Sequence, residues 1–272
     1  MTSEHRGRAN AEGAVSDLGE VALRVEDLSV HYGSLTALSN VSWSVDTGEI
    51  LGIIGPNGAG KSSSFAAVTN VIEHNGTVEL FGSDVTATPP QRLARRGLRR
   101  TFQQNSFFGE LSVLENAVAS FQVDNYPRLL SSMIAPLREL RLRQQYLLSA
   151  ATLLEEFGIP RRFHRLYPDN IPYGLQRTLS IVLAYAGGAR VLLIDEPAAG
   201  VGGTDMRKLA ELLDELRSRG VAIVLIEHHM DLVMEIVDRL LVIDRGEMID
   251  YGLPADVQRN PAVLEVYLGR SA

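Results

Sequence analysis

The stretch EILGIIGPNGAGKSS, Glu49 to Ser63, constrains the chain more than any other. The apolar run Ile50 to Ile54 leads directly into G-x-x-x-x-G-K-[ST] over Gly55 to Ser62. A short apolar run of this kind reads as a strand buried on both faces, which requires a parallel sheet covered by helices. The glycines let successive backbone N–H groups curl around a phosphate. A helix opening at Lys61 adds the positive end of its dipole. Lys61 is placed to reach β- and γ-phosphates, and the Ser62 hydroxyl to ligand Mg2+. Gly55, Pro56, Asn57, Gly58, Ala59, Gly60, Lys61, Ser62 and Ser63 are therefore the candidate phosphate-binding residues, and the fold class is α/β.

The other half of such a site is expected in VLLIDEP, residues 191–197, where four buried strand residues end in two carboxylates. Asp195 at the strand end is a candidate for binding Mg2+ through water, and Glu196 for polarising an attacking water. Taken alone, an apolar strand ending in Asp-Glu often marks only a solvated strand end. The phosphate loop upstream shifts the balance to chemistry.

Periodicity organises the remainder. Residues 21–54 alternate as three strands, and GTVELFG (76–82) reads as a fourth. PPQRLARRG is a short helix with prolines at its start and Gly97 as its stop, and LRRTFQ returns to extended structure. Ser112 and Glu115 form a capping box. Helical patterning then runs to about Phe157, interrupted near Tyr126-Pro127 and at Pro136. TDMRKLAELLDELRSRG puts Leu209, Leu212, Leu213 and Leu216 on one face, and Gly220 stops it. VAIVLIE is another buried strand, RLLVIDRGEMIDYG a hairpin, and a short helical tail follows.

Composition excludes several classes. Of 272 residues none is cysteine, which rules out disulfides, thiolate chemistry and cysteine-ligated zinc. A net charge of −7 disfavours general nucleic-acid binding. The longest clean apolar run, VAIVLI, is far shorter than the roughly 20 residues a bilayer requires. Residues 1–20 lack a signal-peptide core and are expected to form a disordered polar tail. The chain is expected to be soluble and intracellular unless a partner holds it at a membrane.

With these motifs in this order, the chain resembles the nucleotide-binding subunits of ABC transporters over residues 21–269. The resemblance implies a mainly parallel sheet with an antiparallel β subdomain and a helical insertion. Residues 21–103 and 186–252 would form the ATP-binding core, 104–185 the helical subdomain and 253–272 a C-terminal extension. It implies ATP and Mg2+ as cofactors. VHYG places Tyr32 where the family stacks an aromatic on adenine, although by itself Tyr32 reads as strand packing. TFQQ places Gln103 at the loop that senses Mg2+ and water; Gln104 is adjacent, and Gln103 is preferred because it follows Arg-Thr-Phe. LIEHHM places His228 at the γ-phosphate switch. A metal pair with His229 is rejected, because neighbours at a strand end point apart.

Within the family, residues 80–103, DEPAAG, IEHHMDLVM and NPAVLEVYLG are similar to branched-chain amino acid importers, a group that includes urea and amide importers. This implies a second, related ATPase, two membrane permease subunits, an external solute-binding protein, and a peripheral place on the cytoplasmic face of the membrane. IPYGLQ occupies the position of the family's LSGGQ signature, which completes the ATP site of the opposite subunit. Ile171 stands for Leu, Pro172 for Ser, Tyr173 for Gly and Leu175 for Gln, while Gly174 is retained. Proline removes a hydroxyl and an N–H, so Pro172, Tyr173 and Gly174 are expected to form a weakened but helical trans site. Gly202 replaces an acidic or amide residue in the loop after Glu196. The cluster Arg92, Arg95, Arg96, Arg99 and Arg100 reads as a solvated face or a contact with permease or anionic lipid. The alternatives are a soluble ABC ATPase, which usually carries twin cassettes or coiled-coil arms absent here, and a regulatory subunit with a degenerate signature.

Overall fold

The computed structural model describes residues 20–101, 107–122 and 136–268. It contains two sheets. In the smaller, β1 (Val21–Tyr32) pairs antiparallel with both β2 (Leu35–Asp46) and β4 (Asn75–Leu80), and β5 (Ser83–Asp84) adds an edge. In the larger, β3 (Ile50–Ile54), β6 (Leu98–Arg100), β7 (Val191–Asp195), β8 (Ala222–Ile226), β9 (Arg239–Asp244) and β10 (Glu247–Gly252) lie in the order β10-β9-β3-β8-β7-β6. All its pairings are parallel except the terminal β9–β10 hairpin.

The central strands are uniformly apolar because both faces are covered. Ile50, Ile54, Leu192, Ile194, Ile223, Leu225, Leu240 and Val242 enter one core, with the helices. Leu51, Ile53, Val191, Leu193, Val224, Ile226, Leu241 and Ile243 enter the other. That second core is shared with the antiparallel sheet and with Phe65, Ala67 and Val68 of α1 (Lys61–Val68). Arg239 on β9 donates to both carboxylate oxygens of buried Glu49, one of them at 2.6 Å. Breaking a buried pair from one side costs about 3–5 kcal/mol, so this contact pins the start of β3 to β9.

Between β6 and β7 in the chain lie α3 (Val113–Gln122), α4 (Pro136–Glu156) and α5 (Tyr173–Ala186). They are packed together, with Phe121 stacked on Tyr146 and Phe157 edge-on to Tyr185. The capping box forms: Ser112 N–H donates to Glu115 Oε2 at 2.8 Å, and Glu115 N–H to Ser112 Oγ at 3.3 Å. α2 (Pro90–Arg95) and α6 (Gly203–Ser218) end near Gly97 and Gly220, both left-handed, and Leu209, Leu212, Leu213 and Leu216 are buried. α7 (Met230–Ile236), α8 (Pro254–Val257) and α9 (Pro261–Leu268) complete the described chain, the last two forming the short helical tail.

Two expectations are corrected. The strand placed at 76–82 stops at Leu80, because Phe81 and Gly82 take φ of 49° and 68° and turn the chain into β5. Pro136 falls at a helix boundary, as the pattern indicated, and begins α4 at the position where a missing N–H is harmless. The arginine cluster is not one solvated face: Arg92, Arg95 and Arg96 are exposed, whereas Arg99 packs against Gly187 and Arg100 turns inward onto Asp195. Tail residues 1–19 and the Tyr126-Pro127 break lie outside the described residues.

Candidate active site

Strand register gathers the chemistry. Ile226 of β8 is paired with Ile53 of β3 on one side and with Asp195 of β7 on the other. The loop from Gly55, Glu196, and the Glu227-His228-His229 segment therefore leave the sheet together at its carboxyl edge, where open α/β sheets bind ligands. A cleft of about 500 Å3 lies there. Tyr32, Asn57, Gly58, Ala59, Gly60, Lys61, Ser62, Ser63, Glu196 and Arg245 line it. Gly55 and Pro56 are not among the residues that line it. A Cβ on Gly55 would stand 2.0 Å from the Ile243 carbonyl oxygen, and one on Gly60 2.4 Å from that of Ala37. The loop is thus seated on β9 and β2 by approaches that only glycine allows.

Lys61 is buried, and its ammonium donates to the carbonyls of Gly55 at 2.7 Å and Pro56 at 2.9 Å. Burial pulls its pKa down, and the charges of Glu196 and Asp195 oppose this. Asp195 is buried too, which raises its pKa; the hydrogen bond and charge of Arg100 work against that. Arg100 donates to Asp195 Oδ2 at 2.9 Å and lies over the Phe65 ring. Asp195 Oδ1 is buried without a partner among the described residues. Glu196 holds a left-handed backbone, φ 47°, fixed by its N–H to the Ile226 carbonyl at 2.9 Å. Such a conformation strains a non-glycine residue by about 1–3 kcal/mol and is a mark of functional sites. His228 Nε2–H donates to Glu196 Oε1 at 2.9 Å. His229 turns to Glu227 instead, so the two imidazoles do diverge.

The residues present fit a magnesium nucleotide. Mg2+ is normally held by one or two protein groups together with water and phosphate oxygens. Ser62 in the cleft and Asp195 Oδ1, without a partner among the described residues, would be such a pair. On that reading Arg100→Met should lower the Mg2+-dependent gain in ATP affinity about 10-fold, the loss of one charged hydrogen bond. Affinity for metal-free ATP should hold within about 2-fold. Fluorescent-nucleotide titration with and without chelator measures both. An unchanged Mg2+ gain would exclude a role for Arg100.

Gln103 and Gln104 lie outside the described residues. The Pro172–Gly174 turn is described, and it contributes nothing to the chain's own cleft. Pro172 is exposed and occupies the N-cap of α5 rather than its first helical position. The Tyr173 hydroxyl accepts a hydrogen bond from Arg177. Gly174 is pressed by Asp205, whose Oδ2 would meet a Cβ at 2.7 Å. Gly202 is exposed at the N-cap of α6. Arg245 is a cleft residue that the sequence patterns did not single out. It sits in the β9–β10 turn with φ 49°, and a turn motif alone gives no sign of facing a distant loop.

Comparison with known proteins places these features in company. The ABC transporter family model matches residues 38–199. The branched-chain amino acid ATP-binding cassette transporter model matches residues 251–272. The high-affinity branched-chain amino acid transport ATP-binding protein LivG of Salmonella typhimurium is 36% identical over 256 residues, covering 93% of this chain and 100% of that protein. The corresponding protein BraF of Pseudomonas aeruginosa is 33% identical, with coverages of 92% and 98%. A nucleotide-free ATP-binding cassette from an ABC transporter superposes with a TM-score of 0.78 at 27% identity, covering 91% of this chain and 98% of that one. A cassette in its ADP conformation gives 0.77 at 28% identity, with coverages of 92% and 99%.

Proposed function

The chain belongs to the ABC transporter family, among its branched-chain amino acid ATP-binding cassettes, and on that premise we propose that it is the ATP-hydrolysing subunit of a solute importer. The transported solute would be a branched-chain or other hydrophobic amino acid, or a related small polar compound. The observation that carries the reading is the convergence of Lys61 and the Glu196–His228 pair on one nucleotide-sized cleft at the edge of β3, β7 and β8.

In this reading Tyr32 meets the adenine, and the N–H groups of residues 57–63 and the Lys61 ammonium hold the phosphates. Ser62 and Asp195, with Gln103, would hold Mg2+, whose charge would offset that developing on the phosphates. Glu196 orients and deprotonates the attacking water. His228, now bonded to Glu196, exchanges that contact for the γ-phosphate. Residues 21–103 and 186–252 act as the ATP core, and 104–185 as the arm that passes the motion onward.

Partners follow from what the chain lacks in its own cleft. None of residues 171–175 lines it, and Tyr173 is 43% exposed. A second ATPase chain would supply the missing wall, and this chain's Pro172–Gly174 turn would serve the partner's cleft. Two permease subunits and an external solute-binding protein would complete the importer. No helix among the described residues is long and apolar enough to cross a membrane, which fits a peripheral place on its cytoplasmic face.

Pro172 makes the two sites unequal. It removes a hydroxyl and an N–H from the turn that faces the partner's nucleotide, while the α5 dipole remains. Losing one transition-state hydrogen bond to a charged group slows that site about 10- to 100-fold. Single-turnover hydrolysis is measured in complexes with one catalytic glutamate disabled at a time. The site on this chain's phosphate loop is expected to be the faster one, and Pro172→Ser with Leu175→Gln to narrow the gap. Equal rates from the two sites would refute the inequality.

A further inference from the structure

We infer that Glu227 is a positioning residue whose buried carboxylate ties the loop after Glu196 to the loop that carries His228, holding those two groups against each other. The inference rests on the reading that Glu196 and His228 serve hydrolysis. Glu227 is 1% exposed and sits one residue past the end of β8. Its Oε1 accepts the Ala198 N–H at 2.8 Å. Its Oε2 accepts the N–H groups of His228 at 2.6 Å and His229 at 3.1 Å, and the His229 Nδ1–H at 3.1 Å. Among the described residues no lysine or arginine pairs with it; His229 is its only ion-pair partner.

Two bridges therefore close a ring. Glu196 leads through Pro197 to Ala198, which donates to Glu227; Glu227 leads to His228, which donates back to Glu196 at 2.9 Å. A buried carboxylate is expensive unless fully hydrogen-bonded, and an apolar residue would fill the volume more cheaply. What an apolar residue cannot do is grip two loops at once. The arrangement fixes the distance between the water-activating carboxylate and the switch imidazole.

Glu227→Gln keeps the shape but turns one end into an NH2 group. Whichever way the amide lies, either the Ala198 N–H or the His228 and His229 N–H groups face a donor, and one loop is released. Glu227→Asp keeps the charge but shortens the reach, so it too serves only one loop. In the assembled ATPase complex, either variant is expected to lower kcat about 10-fold, the loss of one charge-assisted hydrogen bond. KM and ATP affinity should stay within about 2-fold, which also reports that the chain is folded. A double-mutant cycle separates positioning from general damage: in a His228→Ala background, Glu227→Gln should add little further loss. Wild-type kcat in both Glu227 variants, or a loss that multiplies fully with that of His228→Ala, would overturn the inference. Wild-type turnover in Glu196→Gln and His228→Ala would instead remove the reading beneath it.

Discussion

Glu196→Gln is expected to slow ATP hydrolysis at this chain's site by about 10²- to 10⁴-fold, the range for removing a positioned general base. Nucleotide affinity should stay within about 2-fold, because the loss falls on the transition state alone. The substitution is nearly isosteric, so it spares the backbone that holds position 196 at φ 47° with its N–H on the Ile226 carbonyl. The amide oxygen can still accept from His228 Nε2, as the carboxylate does at 2.9 Å. What it cannot do is take a proton from water. ATP should therefore bind, close the complex and remain uncleaved. Single-turnover phosphate release measures the chemistry, and size-exclusion chromatography with ATP measures accumulation of the closed dimer. Hydrolysis at the wild-type rate would remove Glu196 from the catalytic role and leave the cleft without an assigned base.

The sequence showed those parts of the site that are local. The phosphate loop, the Asp195-Glu196 strand end and the His228 segment each consist of a strand and the few residues after it, and each strand announces itself by an unbroken apolar run. It did not show which strands would be neighbours. The pairing of Arg100 with Asp195 depends on β6 lying beside β7, a contact across 95 positions, so a run of arginines read as surface. The Glu227 bridge to Ala198 is hidden for the same reason. A carboxylate beside two histidines looks like an ordinary polar strand end until the fold buries it. The left-handed backbone at Phe81 and Glu196 was silent too, whereas the Arg245 turn fell inside the expected hairpin. Pro172 was legible as a departure but not as an N-cap, because proline tolerates both that position and the next.

Lys61→Ala is expected to weaken ATP binding by about 100-fold or more, since each hydrogen bond from a charged donor is worth about 1.5–3 kcal/mol and the ammonium can reach two phosphates. The Lys61 ammonium donates to the Gly55 and Pro56 carbonyls at 2.7 and 2.9 Å. These partners are neutral, and a charged phosphate oxygen binds the ammonium more strongly. Burial pulls the ammonium's pKa down at this position, and the charges of Glu196 and Asp195 oppose this. Arginine is no substitute, because its planar fork is wider and longer than a point-like ammonium set among glycines. The control is AMP, which lacks the β- and γ-phosphates. If Lys61 acts where the motif places it, AMP affinity should change little while ATP affinity collapses, as read by calorimetric titration of the same variant with both nucleotides. Equal losses for the two would mean that the alanine had disordered the loop, with the two carbonyls stripped of their donor. An unchanged ATP affinity would mean that this lysine does not touch the nucleotide at all.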